Sequence, residues 1–205
     1  MKIILLGANG RTGREVLNRA LDAGDSVTAL VRSEDRLADV NHPRLKVHVG
    51  NVCDPDALKQ ILPGHDVVIS TLGPRMPTKV ACTIYSESAT AIVKAMKESG
   101  VNRLLVTSTA LLFPSDKLID RILGFIARQN ARHAGMMEET ISASNLEWTI
   151  ARLGFLNDRS STEYRLIEGA LPDRGSSISR AAVAHFLLTE VRQTSYINKI
   201  LGISG

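Results

Sequence analysis

Three glycines near the start of the chain have the spacing of a phosphate-binding turn. Gly7, Gly10 and Gly13 follow the apolar run of residues 1–6 and precede an amphipathic helical pattern. Gly7 would let the chain turn, Gly10 would let a diphosphate approach the backbone, and Gly13 would let the helix pack against the strand. The helix N-terminus would offer unpaired N–H groups and a partial positive charge to an anion. The pattern predicts dinucleotide binding; an ordinary strand-to-helix turn is the alternative interpretation.

The residues after the second predicted strand bear on which dinucleotide would bind. Strand residues 26–32 end at Arg32, which Ser33 follows, and Arg36 lies one turn further. A carboxylate at this strand end holds the ribose 2′-hydroxyl of NAD, whereas a guanidinium can pair with a 2′-phosphate. Arg11, inside the glycine turn, would point a second cation at the same region. We therefore predict NADP(H) rather than NAD, with solvated surface charges as the alternative interpretation.

Apolar segments alternate with helical patterns along the rest of the chain. The predicted strands are residues 1–6, 26–32, 44–50, 65–71, 103–108, 146–152 and 197–203, with a possible short strand at 162–168. One predicted helix follows the glycine turn, with Val16, Leu17, Ala20 and Leu21 on one face, and a second begins at Asp54. The other predicted helices span residues 83–98, 117–144 (possibly broken near Gly135) and 180–192. This alternation predicts an α/β three-layer Rossmann-like fold with a doubly wound, mostly parallel sheet.

Polar and glycine residues follow two of these strands where each strand ends. The loop of residues 72–77 follows the fourth strand, and Thr107, Ser108 and Thr109 close the fifth. Ligands bind at the carboxyl edge of such sheets, so we expect these residues to meet there. The apolar segment 111–113 is either loop packing or a wall for a flat substrate.

Composition sets the broad class of the protein. The 205 residues are 44% hydrophobic and only 4% aromatic, which fits one NAD(P)-binding domain over residues 1–205 with an aliphatic core. A small substrate-side region would be formed by about residues 110–118 and 154–178. Cys53 and Cys82 lack metal or redox spacing, so we expect no metal site and a cytoplasmic location.

The charge pattern and the hydropathy bear on partners. The net charge is +4, but Lys and Arg are scattered rather than clustered, which argues against nucleic acid. No apolar run approaches the roughly 20 residues that cross a bilayer, so we expect no membrane association. The expected partner is a small-molecule acceptor, and the expected assembly is a monomer or homodimer.

Seven short segments together match a known family pattern. They are residues 7–13, 30–32, 49–52, 70–73, 106–108, 144–146 and 152–154. With them the chain resembles the atypical short-chain dehydrogenase/reductases, within the NAD(P)H-binding group that contains NmrA-like proteins and flavin reductase/biliverdin IX-beta reductase. The resemblance covers nearly the whole chain and is more specific for the superfamily than for a substrate.

The resemblance implies roles for particular residues. The glycine turn would hold the diphosphate, Arg32 the 2′-phosphate, Asn51 and Val52 the adenine, and Ser108, the expected catalytic residue, would face the nicotinamide. The full predicted cofactor-binding set is Gly7, Asn9, Gly10, Arg11, Thr12, Gly13, Arg32, Ser33, Asn51, Val52, Thr71, Leu72, Gly73, Arg75, Thr107, Ser108 and Leu153. Two positions depart from the family pattern: Asn51 replaces the usual Asp and Leu153 the usual Pro.

The Tyr-x-x-x-Lys dyad of ordinary short-chain dehydrogenases is missing. Asn130 and Ala134 stand where Tyr and Lys would be expected. Reducing a ketone develops an alkoxide that needs a tuned acid, whereas reducing a conjugated acceptor spreads the charge. We therefore predict an NADPH-dependent reductase of a flavin, quinone or similar acceptor. The alternative is a non-catalytic NADP(H)-binding regulator or redox sensor; a sugar-nucleotide epimerase is disfavoured because it needs the Tyr.

Two charged positions are interpreted from pattern alone. Glu138 and Glu139 are most simply a solvated helix face. Arg152, at a strand end beside the predicted cofactor edge, would either contact substrate or form a structural ion pair.

Overall fold

The computed structural model describes residues 1–74, 78–114 and 127–205. The strands are β1 (Lys2–Leu6), β2 (Ser26–Val31), β3 (Leu45–Val49), β4 (Val67–Ser70), β5 (Arg103–Thr109), β6 (Glu147–Leu153), β7 (Phe155–Asn157), β8 (Arg165–Glu168), β9 (Ser177–Ser179) and β10 (Lys199–Ser204). The α-helices are α1 (Arg11–Asp22), α2 (Pro55–Ile61), α3 (Lys79–Ser99), α4 (Arg128–Ser142) and α5 (Arg180–Gln193). Short 3₁₀ turns cover Glu34–Arg36 and Ala110–Leu112.

Eight of these strands form one sheet in the order β3-β2-β1-β4-β5-β6-β10-β8. All neighbours are parallel except β8, which runs antiparallel to β10. The strand order reverses between β1 and β4, where Leu6 pairs with Leu30 on one side and with Ser70 on the other. The predicted doubly wound sheet is confirmed, and this reversal creates the crevice in which such folds bind ligands.

Alternating side chains of each strand divide the core into two layers. Ile3 and Leu5 of β1 pack on the face covered by α1 and α5, and Ile4 and Leu6 pack on the face covered by α2, α3 and α4. All four are fully buried, because a central parallel strand is covered on both faces. The three-layer prediction is therefore confirmed.

Several helix boundaries differ from the sequence expectation. Helix α3 begins four residues earlier than predicted, because the hydroxyl of Thr78 accepts a hydrogen bond from the Ala81 N–H at 3.2 Å and caps the helix. Helix α4 runs unbroken through Gly135, so the predicted break there is wrong. The predicted helical residues 117–126 lie outside the described residues. None of the helices in the described ranges is long and apolar enough to span a membrane.

A small second sheet was missed from sequence. Strands β7 and β9 pair in parallel, with Phe155 opposite Ser177, and the short strand predicted at 162–168 forms only over the span of β8. The Cβ of any larger residue at Gly154 would overlap the carbonyl oxygen of Ser176, so glycine lets the two segments meet. This pairing holds the chain after β6 over the carboxyl edge of the main sheet.

Candidate cofactor and substrate site

The glycine turn after β1 is tight and leaves the start of α1 open. Gly7 has a φ of 85°, which glycine adopts without strain, and its carbonyl accepts a hydrogen bond from the Gly10 N–H at 2.9 Å. A Cβ at Gly13 would overlap that same carbonyl, so the helix approaches the strand as predicted. Gly10 caps α1 without a side chain, and the first turn carries no acidic residue. Its N–H groups are therefore available to an anion.

A cavity of about 650 Å³ opens beside this turn at the carboxyl edge of the sheet. Ten of the predicted residues line it: Asn9, Gly10, Arg11, Thr12, Thr71, Leu72, Gly73, Thr107, Ser108 and Leu153. The other lining residues are Pro74, Tyr85, Thr109, Asn130, Gly154, Leu156 and Arg180. The cavity thus joins the helix N-terminus to the ends of β4, β5 and β6.

The remaining predicted residues lie outside this lining. Gly7 and Gly13 belong to the glycine turn but do not line the cavity. Arg32, Ser33, Asn51 and Val52 lie further along the same edge, after β2 and β3, which pair there through Val31 and Val49. Asn51 accepts a hydrogen bond from the Cys53 N–H at 3.0 Å and Val52 is buried, while Arg32 is exposed. Arg75 lies outside the described residues. The adenine and 2′-phosphate roles stay predictions.

Arg11 belongs to an ion-pair group that the sequence did not indicate. Its guanidinium pairs with Asp158, which follows β7, and Asp158 also pairs with Arg180 at 2.7 Å. Arg180 is the first residue of α5, and both arginines line the cavity. Burial lowers the pKa of Arg180 from its ordinary value, although no physiological pH discharges a guanidinium. Two cations therefore meet at the open end of α1, where a diphosphate would need them.

Ser108 belongs to a buried charged network. Its hydroxyl donates to a carboxylate oxygen of Glu138 on α4 at 2.5 Å. Arg152, at the end of β6, donates to the same carboxylate at 2.7–3.2 Å and to the Leu112 carbonyl at 3.2 Å. Glu138 is only 5% exposed, so its interpretation as part of a solvated face is wrong, whereas Glu139 is exposed. Arg152 forms the ion pair that the sequence left open.

This network decides what Ser108 can offer a ligand. The only hydroxyl proton of Ser108 is directed at the carboxylate, so its lone pairs are what remain for the cavity. Ser108 would accept a hydrogen bond, for example from an amide N–H₂ group, rather than donate one. Its predicted place facing the nicotinamide is compatible with that polarity and stays a prediction.

Two further polar groups reach the cavity from α3 and α4. Tyr85 is 8% exposed, and burial, together with Cys82 and Glu138, raises its pKa to about 12. Asn130 stands where the dyad tyrosine would be, and its buried Oδ1 has no hydrogen-bond partner among the described residues. Ala134, at the lysine position, is fully buried. The described residues hence place no Tyr–Lys pair at the expected dyad positions.

The apolar segment 111–113 does not line this cavity. The Arg152 guanidinium lies over the Phe113 ring, with 4.6 Å between the guanidinium carbon and the ring centroid. Leu111 and Leu112 border a separate shallow depression against α4. The segment therefore packs against Arg152 and α4 rather than lining this cavity, and the substrate role of residues 110–118 and 154–178 remains a prediction.

Sequence reasoning missed Tyr85, Glu138 and Arg180. A signal existed for the first two, because each continues a buried helical stripe. Tyr85 precedes Ala89 and Ile92 at helical spacing, and Glu138 lies four residues after Ala134. A polar residue on a buried stripe marks a special environment. Arg180 gives no comparable local signal, because its position depends on how α5 approaches the glycine turn.

Comparison with known proteins agrees with this geometry. The NAD(P)H-binding family model matches residues 7–194. The photosystem II assembly factor Ycf39 of Synechocystis sp. is 25% identical over 160 residues, covering 76% of this chain and 45% of that protein. NAD(P)H azoreductase of Xenophilus azovorans is 26% identical over 153 residues, covering 75% of this chain and 48% of that protein. The chain thus spans about half the length of these two relatives.

The fold also matches solved structures over its whole length. A short-chain dehydrogenase/reductase (wide type) from Veillonella parvula, in complex with NADP, superposes with a TM-score of 0.83 at 23% sequence identity. The match covers 100% of this chain and 94% of that one. At this identity the likeness shows the shared fold.

Proposed function

The chain belongs to the NAD(P)H-binding family, and from that premise we propose that it is an NADPH-dependent reductase acting on a conjugated acceptor such as a flavin or quinone. The observation that carries the proposal is the cavity itself. It connects the uncapped N-terminus of α1 to Ser108 and Leu153. A dinucleotide lying along the edge would present its nicotinamide beside the same space that admits the acceptor.

The residues of the chain would supply binding and orientation. The α1 N–H groups, Arg11 and Arg180 would hold the diphosphate, and Arg32 the 2′-phosphate. NADPH when bound supplies a hydride, which an acceptor stacked against the nicotinamide would receive. Holding the two reactants in contact provides a large part of the acceleration, so the chemistry can proceed without a strong acid. The azoreductase relative, whose name indicates reduction of a conjugated N=N bond, supports this class of acceptor.

Steady-state NADPH oxidation tests the proposal directly. Riboflavin, FMN and menadione should each be compared with a buffer blank, while calorimetry measures NADPH binding in the same preparation. Turnover of at least one acceptor above the blank is the expected result. Binding of NADPH without turnover of any acceptor would contradict the reductase.

The preference for NADPH is tested separately at Arg32. Loss of one charge-assisted contact in Arg32→Ala should weaken NADPH binding about tenfold and leave NADH binding unchanged, since about 1.4 kcal/mol corresponds to tenfold. Lys94→Ala, an exposed charge on α3, is the matched control. Equal losses for both dinucleotides would show that Arg32 does not contact the 2′-phosphate.

A second candidate is a non-catalytic NADP(H)-dependent regulator. The observation that favours it is Ser108, whose proton is held by Glu138 and is not offered to a substrate. The relative named as an assembly factor is compatible with a binding role. This candidate predicts different dissociation constants for NADP⁺ and NADPH together with no acceptor turnover. Equal constants would remove it.

A further inference from the structure

Tyr85 occupies a position in the cavity that no sequence motif assigns to it. It lies in the second turn of α3, and its ring belongs to the same core layer as Leu104 and Val106 of β5. Ser108 continues that face of β5, because alternate strand residues share a face. The phenol thus approaches the cavity from the same side of the sheet as Ser108 and Glu138.

Gly73 makes room for the Tyr85 hydroxyl. A Cβ at Gly73 would lie 3.2 Å from the hydroxyl oxygen and 3.7 Å from the ring carbon that bears it. The ring is therefore fixed between the core and the loop that follows β4. A side chain held in this way has little freedom to lose when a ligand arrives.

The hydroxyl itself has no hydrogen-bond partner in the described part of the chain, yet it is not among the enclosed polar atoms that lack one. It therefore opens into the cavity that Tyr85 lines. A donor that opens into the cavity and has no partner in the described part of the chain is free to bond a water molecule or a ligand there.

The charge state of the phenol fixes its polarity. Its pKa of about 12 keeps the O–H intact across the physiological range, so Tyr85 is a neutral donor. Ser108, in contrast, directs its proton to Glu138. The part of the cavity that Tyr85 and Ser108 line therefore holds one hydroxyl that donates a hydrogen bond and one that accepts.

We propose that Tyr85 donates a hydrogen bond to the acceptor, at the carbonyl oxygen or ring nitrogen on which negative charge collects during reduction. The inference rests on the proposed reductase function and deepens it. The acceptor gains a hydride as a C–H bond of the dihydronicotinamide breaks and a bond to hydrogen forms on the acceptor. The displaced electron pair moves through the conjugated system to the heteroatom that accepts the hydrogen bond from Tyr85. Water supplies the proton that completes the reduction.

Tyr85→Phe tests this assignment, because it removes the hydroxyl and keeps the buried ring. With riboflavin and menadione as probes, kcat should fall about 10- to 100-fold, somewhat less than the about 10²- to 10³-fold loss seen when an oxyanion donor is removed. The NADPH dissociation constant should stay within about twofold. Tyr196→Phe is the matched control, since Tyr196 packs against the core layer on the other face of the sheet, does not line the cavity and should leave kcat unchanged.

A stability measurement separates this role from a structural one. Because the Tyr85 hydroxyl forms no hydrogen bond with the residues that the structure describes, the Tyr85→Phe variant should unfold at the same urea concentration as the wild type or at a higher one. Turnover of the variant at the wild-type rate, or a lowered unfolding midpoint, would overturn the assignment while leaving the reductase proposal standing. Absence of wild-type turnover with every acceptor would instead overturn the reductase proposal, and the inference with it.

Discussion

Replacing Glu138 by Gln tests whether the buried network stabilises the fold. The wild-type carboxylate accepts from Ser108 at 2.5 Å and from Arg152 at 2.7–3.2 Å, and it is only 5% exposed. The substitution keeps the shape of the side chain but removes its charge. It also replaces one accepting oxygen with an N–H₂ group that faces the donors of its former partners.

The expected loss follows from the burial of the pair. Removing one partner of a buried ion pair typically costs about 3–5 kcal/mol, because the other charge remains desolvated. Here the Arg152 side chain is 16% exposed, keeps its bond to the Leu112 carbonyl and retains its contact with the Phe113 ring. Glutamine also keeps one acceptor oxygen. We therefore expect a loss of about 2–3 kcal/mol, which for a domain of this length lowers the Tm by about 4–12 °C.

Urea unfolding followed by circular dichroism measures this loss, and Glu139→Gln provides the matched control. Glu139 is the next residue of the same helix but is exposed, so its substitution should change the free energy of unfolding by less than about 0.5 kcal/mol. The double variant Glu138→Met/Arg152→Leu should recover most of the loss, since no unpaired charge remains. Equal unfolding midpoints for the Glu138 and Glu139 variants would refute the reasoning.

Three further predictions concern the turn, the charges around it and the thiols. Gly13→Ala should lower the free energy of unfolding by at least about 3 kcal/mol in urea melts, because its Cβ would overlap the Gly7 carbonyl oxygen. Gly135→Ala, inside α4, should instead raise it by about 0.5–1 kcal/mol, because the new Cβ would meet only the Leu112 side chain at an ordinary contact distance. Asp158→Asn should tighten NADPH binding about two- to fivefold in low-salt calorimetry, because it frees Arg11 and Arg180 from an exposed ion pair of about that strength. The gain should vanish at high salt. Cys82 is fully buried and burial raises its pKa, so a thiol reagent at pH 8 should label it only after unfolding.

The order of strands and helices could be predicted from sequence because it depends on local patterns. Each central strand is an apolar run and each helix an apolar stripe, and the glycine turn identifies the end of the sheet at which such folds bind ligands. The small β7–β9 sheet could not be predicted in this way. Its strands are three residues each and lie 22 positions apart at Phe155 and Ser177, so nothing in either segment indicates its partner.

The candidate site was predictable where residues follow strand ends and not where they come from helix faces. Ser108 and Gly73 reach the cavity because a strand delivers them to the edge, which the pattern shows directly. The partners of Ser108 are set by packing of α4 against β6, which brings together Glu138 and Arg152, 14 positions apart. Without that packing the sequence shows an acid beside another acid, and the simplest interpretation is a solvated pair.

The same packing would let the proposed reductase work without a strong acid. Arg152 holds the Glu138 carboxylate, the carboxylate holds the proton of Ser108, and the same carboxylate contributes to the raised pKa of Tyr85. Burial of the phenol is the main cause of that raised pKa, whereas the buried carboxylate is what makes the serine an acceptor. A phenol with a pKa near 12 is a poor source of protons at neutral pH but a stable donor of a hydrogen bond. If the proposed reductase function holds, such a site would favour acceptors that spread the developing negative charge over those that must form a localised alkoxide.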